Sequence, residues 1–187
     1  MEMIPQLPRP ERELNWQDKI FTQDNIFTPE ECKELISWAK GPSSGLHKGI
    51  PRHNYWKSSF HTTQLVDPKL HEKLQPLWQS VINHFKFDID FIEEYELKCY
   101  GPGDFFDAHT DLNYSLTNNL ERKITVSINL SDPSEYEGGK FTNMGLVMNT
   151  TQGSCSAFPS FFRHQIYEVT KGERWSMIGW AWGPYWR

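Results

Sequence analysis

His109-Thr110-Asp111 sets an imidazole and a carboxylate two residues apart. In an extended segment positions i and i+2 share a face, so both side chains could reach one metal ion. The pair alone is a frequent accident and needs a third ligand from elsewhere in the chain. His164 supplies one, because Phe158-Pro159-Ser160-Phe161-Phe162-Arg163 reads as a turn and His164 opens the strand after it. Two imidazoles and one carboxylate make a facial set that leaves three positions of an Fe(II) ion open for a bidentate co-substrate and dioxygen. Structural zinc would need a closed four-ligand site instead. Arg174 follows His164 by ten residues. A guanidinium clamps a carboxylate through two parallel hydrogen bonds and stays charged when desolvated, which suits the distal carboxylate of 2-oxoglutarate. Read alone, Arg174 is as well an exposed strand-end arginine. The joint order of HxD, a strand-rich gap, His, then Arg is what argues for the clamp.

These residues need elements to carry them. Thr28-Pro29-Glu30-Glu31 predicts a helix N-terminus with a cap, a proline at the first helical position and a glutamate at the third. That helix runs to about Lys40 and stops at Gly41-Pro42, with Cys32, Leu35, Ile36 and Trp38 as its buried stripe. Leu70, Leu74, Leu77, Trp78, Val81 and Phe85 recur at helical spacing over Pro68 to Phe85. Short strands follow at Tyr95–Tyr100, 124–130, 140–148, 154–158, 164–169 and 175–182. In the second of these Ile124, Val126, Ile128 and Leu130 alternate with Thr125, Ser127 and Asn129. Two helices followed by about eight strands read as α+β, with a sandwich or barrel as the catalytic body. Residues 1–15 read as a proline-rich surface arm. Gly41 to Phe60 reads as an irregular loop, either a lid or merely flexible surface. One domain spans residues 1–187, helices to about 90 and catalytic strands from about 91.

Composition narrows the class. The formal charge is −5, and no Lys/Arg cluster offers the footprint of a nucleic-acid binder. Cys32, Cys99 and Cys155 are scattered and odd in number, so neither a disulfide framework nor a zinc site is expected. No apolar run long enough for a membrane span or a secretory leader occurs, and a cytoplasmic location is the plain expectation. His47, His53, His61, His71 and His84 have no partner at ligand spacing and read as surface residues.

Several motifs together carry a resemblance over roughly Tyr95 to Trp182. Tyr100-Gly101-Pro102-Gly103 precedes His109-Thr110-Asp111. Leu130-Ser131-Asp132-Pro133 leads through Glu135-Tyr136 to Gly138-Gly139. Phe158-Pro159-Ser160 precedes His164, and Lys171-Gly172-Glu173-Arg174 follows it. In these the chain resembles the 2-oxoglutarate/Fe(II) dioxygenases of the prolyl hydroxylase type. The resemblance implies a double-stranded β-helix (jelly roll) with N-terminal helices packed on it. It implies Fe(II) on His109, Asp111 and His164, and 2-oxoglutarate on Arg174 and Tyr100, with Trp180 walling the pocket and ascorbate as an accessory reductant. Asn129 stands where some relatives have a tyrosine that contacts the co-substrate, a departure from the family pattern, and its place on the polar face of 124–130 keeps it among the expected co-substrate contacts. Tyr100 and Trp180 have a purely structural alternative. The implied reaction is hydroxylation of a prolyl residue in a peptide or protein lying in an aromatic groove under the 41–60 loop. Lysyl, asparaginyl or free amino-acid hydroxylation stays open, as does a non-catalytic metal-binding jelly-roll module. Nucleic-acid demethylases of the superfamily carry a second Arg six residues past the clamp, where this chain has Trp180. Halogenating relatives lack the carboxylate that Asp111 provides.

Overall fold

Local chemistry starts both helices. Helix α1 (Pro29–Lys40) begins with a reciprocal capping box: Glu31 N–H donates to Thr28 Oγ1 at 3.2 Å, and Thr28 N–H donates to Glu31 Oε2 at 2.9 Å. Helix α2 (Pro68–Phe85) begins at Asp67, whose Oδ1 accepts from Lys69 N–H at 2.9 Å, and ends at Lys86 in the left-handed conformation with φ 56°. Lys73 of α2 reaches Glu31 of α1 at 2.7 Å and ties the two starts together. The computed structural model describes residues 16–41, 47–48, 56–57, 60–61, 67–115 and 118–185. The expected 1–15 arm and most of the 41–60 loop, including its reading as a lid, lie outside these.

The strands in chain order are β1 (Phe21–Gln23), β2 (His47–Lys48), β3 (Trp56–Lys57), β4 (Phe60–His61), β5 (Phe91–Ile92), β6 (Glu96–Tyr100), β7 (Phe105–His109) and β8 (Tyr114–Ser115). They continue as β9 (Leu120–Asn129), β10 (Tyr136–Gly138), β11 (Phe141–Asn143), β12 (Leu146–Val147), β13 (Cys155–Pro159), β14 (His164–Ile166), β15 (Val169–Gly172) and β16 (Arg174–Pro184). A nine-stranded sheet runs β1-β13-β9-β16-β6-β4-β2, with β5 added to β16 and β8 to β9. A five-stranded sheet runs β12-β11-β14-β7-β3, and β10 pairs with β15. All these pairings are antiparallel. Rings from the two larger sheets meet between them: Phe141 of β11 and Phe158 of β13 have centroids 6.1 Å apart. This is the jelly roll implied by the resemblance.

Strand β9 explains how the site can be polar and buried at once. Its alternation is as expected, but both faces are covered. Ile124, Val126 and Ile128 join Leu70, Leu74, Leu77, Trp78 and Val81 of α2 in a core under the helices. Leu74 and Val81 are fully buried there, and each contributes about 1.5–3 kcal/mol by leaving water. Thr125 and Ser127 face the other way, into the space between the sheets. A second apolar cluster, with Tyr100, Phe141, Phe158, Phe162 and Ile166, closes that space.

Three expectations need correction. Trp38 is 37% exposed rather than part of the buried stripe, because Ala39 and Cys32 make the fully buried contacts of α1. The segment Gly41 to Phe60 is not wholly irregular, since β2, β3 and β4 pair at the edges of the two sheets. The expected 164–169 strand is two strands, β14 and β15, in different sheets. All three cysteines are free and buried. Burial pushes the Cys32 thiol up to about 11. Among the described residues no helix is long and apolar enough to cross a membrane.

Gly138 marks the bulge between β10 and β15, at φ +78°, where an added Cβ would lie 2.3 Å from the Glu168 carbonyl oxygen. Gly138→Ala should cost about 2 kcal/mol or more and lower the thermal midpoint by roughly 4–8 °C. A calorimetric midpoint equal to that of the parent protein would show the turn to be unstrained by a side chain.

Candidate metal centre and its cavity

His109 is the last residue of β7 and His164 the first of β14, and the two are register partners across the five-stranded sheet. Their rings lie 4.3 Å apart. Phe106 stacks on His109 at 3.5 Å, and Phe158 flanks His164 at 4.8 Å. Each imidazole is further fixed by a backbone carbonyl two residues back: His109 Nδ1 to Asp107 O at 2.7 Å, and His164 Nδ1 to Phe162 O at 3.0 Å. A carbonyl only accepts, so Nδ1 carries the proton and Nε2 presents its lone pair. Both Nε2 atoms point at one carboxylate, His109 at 3.6 Å from Asp111 Oδ1 and His164 at 3.5 Å from Oδ2. The three potential ligand atoms lie within 4.8 Å of one another.

Asp111 sits beyond the end of β7, where its N–H donates to Ser160 O at 2.9 Å. Its Oδ2 accepts from Thr125 Oγ1 at 2.8 Å and from Trp180 Nε1 at 3.1 Å. Thr125 gives its proton to Asp111, so the 3.1 Å contact with Ser160 Oγ has serine as donor. Oδ2 thus accepts two hydrogen bonds, while Oδ1 and Oδ2 each face one imidazole of the trio. Burial alone would raise the Asp111 pKa, but the His164 and His109 imidazoles and the Trp180 N–H overcome it and hold the carboxyl well below the usual range. Burial lowers the His164 pKa, with Asp111 pulling less strongly the other way. A divalent ion needs the acid ionised and both Nε2 atoms bare, so it would take the place of any proton those nitrogens carry.

A cavity of about 260 Å³ opens on this trio and extends to Tyr100, lined among others by Thr125, Ser127, Ser176, Phe141 and Trp180. Arg174 stands behind its far end. It opens β16, pairs in register with Tyr100, and is 1% exposed, with its guanidinium carbon 5.8 Å from the Phe141 ring. Burial lowers its pKa, while the neighbouring Tyr136 and Tyr100 phenols raise it. Among the described residues its Nε and Nη1 have no hydrogen-bond partner. A buried cation with idle donors is costly, so an anion is the partner this position lacks. Gly139 leaves the room, since a Cβ there would lie 3.0 Å from Arg174 Cδ. A carboxylate fits this end of the cavity, and an ion of the Fe(II) class with open positions fits the other.

The 2OG-Fe(II) oxygenase superfamily model matches residues 95–182. A PKHD-type hydroxylase of Hyphomonas neptunium is 30% identical over 174 residues, covering 87% of this chain and 75% of that protein. The chain belongs to the 2OG-Fe(II) oxygenase superfamily. A PKHD-type hydroxylase of a Picosynechococcus strain is 34% identical over 86 residues, but the match spans only 44% of this chain and 38% of that protein. The crystal structure of a viral collagen prolyl hydroxylase from Paramecium bursaria Chlorella virus-1, in complex with 2OG, superposes with a TM-score of 0.69 at 18% identity, over 88% of this chain and 96% of that one. The chain shares the fold of that structure.

Against the residues expected of such an oxygenase, the structure brings His109, Asp111 and His164 together. It places Tyr100 and Trp180 on the cavity wall and Arg174 behind it. Asn129 is the exception. It shares the inward face of Thr125 and Ser127, but the cavity lining stops at Ser127. Its amide nitrogen donates to Ser131 O and Thr150 O, both at 2.7 Å, which ties two loops together, while its buried Oδ1 has no hydrogen-bond partner among the described residues. Sequence reasoning missed Thr125 and Ser160 as partners of Asp111. The polar face of the 124–130 alternation was the only signal available for Thr125.

Thr125→Val keeps the shape and removes the hydroxyl. Affinity for Co(II), a spectroscopic stand-in for iron, should fall about tenfold with the fold retained. An unchanged titration curve would mean that Asp111 needs no such donor.

Proposed function

We propose that this protein is an Fe(II)- and 2-oxoglutarate-dependent dioxygenase that hydroxylates an unactivated C–H bond, with a prolyl residue in a peptide or protein as its target. One observation carries the reading. The His109–Asp111–His164 trio opens on a cavity that extends to Tyr100, and behind that end, in register with Tyr100, lies a buried Arg174 whose Nε and Nη1 are idle among the described residues.

Bound Fe(II) with dioxygen and 2-oxoglutarate would supply the oxidation, one oxygen atom going to the C–H bond and the other to the co-substrate as it becomes succinate and carbon dioxide. The chain's own part is binding, orientation and exclusion of water. His109, Asp111 and His164 hold the ion on one side. Arg174 holds the distal carboxylate, which fixes the keto-acid end toward the ion. Phe106, Phe141, Phe158 and Trp180 keep the space between them dry. The name of the viral neighbour, a collagen prolyl hydroxylase, supports a prolyl target. A second reading, a different residue or a free amino acid, is favoured by one feature: the Glu96–Lys98 ion pair lines the same cavity and would suit a charged substrate. The helices and the strands share one core, which supports reading residues 1–187 as a single catalytic unit. The three free cysteines support a reducing, cytoplasmic setting.

With iron and a proline-rich peptide, the protein should convert 2-oxoglutarate to succinate and add one oxygen atom to the peptide. His164→Ala should abolish both. Arg174→Ala should weaken 2-oxoglutarate binding by roughly 30-fold or more, the loss of about 2 kcal/mol for charge-assisted hydrogen bonds. Undiminished affinity in that variant would remove the clamp from the proposal. Metal binding without succinate would leave a non-catalytic module.

A further inference from the structure

Near the metal end, the cavity wall carries Arg122, which has no part in the reaction as outlined and is paired with Glu93 outside the cavity. Glu93, between β5 and β6, accepts two hydrogen bonds from Arg122 of β9: Nε donates to Oε2 at 2.9 Å, and Nη2 donates to Oε1 at 2.8 Å. Trp182 Nε1 donates to the same Glu93 Oε2 at 2.6 Å, and Glu93 N–H donates to Trp180 O at 2.8 Å. Glu93 is thus fixed by its own backbone and by an indole, and it in turn fixes the guanidinium.

The pinned guanidinium lies over Trp180, its carbon 3.7 Å from the centroid of that ring. Trp180 then donates its indole N–H to Asp111 Oδ2 at 3.1 Å. Four side chains therefore run in unbroken contact from Glu93 through Arg122 and Trp180 to Asp111. A cation over the ring face is attracted to the π-electrons. It draws electron density from the ring, which strengthens the N–H as a donor, and it stops the ring from tilting. The Nε–Nη2 edge of Arg122, one that an incoming carboxylate would grip, is already taken by Glu93.

We infer that Glu93 and Arg122 are positioning residues for the metal-binding carboxylate: acting through Trp180, they fix the orientation of Asp111 toward His109 and His164. This rests on the proposed metal site, and the experiment separates the two. Co(II) is titrated into the metal-free full chain and its visible absorption followed, for the parent and for Glu93→Gln, Arg122→Lys, Trp180→Phe and the Glu93→Gln/Trp180→Phe double variant. Trp180→Phe should bind about tenfold more weakly. Glu93→Gln should lose about threefold or more, less than a direct partner, and shift the absorption band. Arg122→Lys keeps the charge without the planar stack and should behave like Glu93→Gln. The double variant should be no weaker than Trp180→Phe, because the two act along one path. Wild-type affinity in both Glu93→Gln and Arg122→Lys overturns the inference, as does a full, additive Glu93→Gln loss in the Trp180→Phe background. Thermal unfolding of each variant identifies a loss due to misfolding. If Glu93→Gln alone unfolds, Arg122→Lys decides. His109→Ala is the control for the site itself: Co(II) bound there as tightly as by the parent sinks the metal reading, whereas loss in His109→Ala with none in the positioning variants sinks the positioning role alone.

Discussion

A carboxylate enclosed between two sheets has lost its water and must find every compensating partner within the protein. Asp111 is that carboxylate, and much of the surrounding architecture answers to it. Its N–H is anchored on Ser160, its Oδ2 on Thr125 and Trp180, and its charge faces two imidazoles. Those imidazoles are in turn held by backbone carbonyls that dictate which nitrogen is bare. These groups come from different strands and turns of the roll.

The opposite end of the cavity presents the complementary problem, a guanidinium taken out of water. Arg174 and Trp180 lie six residues apart on one strand and on one face, so about 20 Å of rigid backbone sets the spacing of the two ends. Strand β16 therefore acts as a ruler: its start carries the cation and its later turn of the pleat carries the indole beside Asp111. Gly139 keeps the neighbouring chain out of the cation's way. A molecule with an acid at one end and a chelating keto acid at the other has only one orientation that satisfies both.

Much of this was legible in the sequence because it is written locally. Thr28-Pro29-Glu30-Glu31 specifies a capped helix start whatever surrounds it, and HxD with a distant His and a following Arg has few other uses. The alternation of β9 is plain in the sequence, yet periodicity gives faces, not what each face meets: it puts Asn129 on the inward face and is silent on the loop carbonyls that bind its amide nitrogen. Trp38 fits a helical stripe but falls where Ala39 already packs. The partnerships around Asp111 were illegible for a different reason. Thr125 is 14 residues from Asp111, Trp180 is 69, and Glu93 is 29 from Arg122, and only the completed sheet order brings them together.

The register pairing of His109 with His164 means that folding, not the arrival of an ion, assembles the donors. A ready-made trio of two nitrogens and an oxygen has little means of telling one first-row divalent ion from the next, and the intrinsic order of affinities places copper, nickel and zinc above ferrous iron. Loading with iron is therefore settled outside the polypeptide, by which ions its surroundings keep scarce and which they keep plentiful.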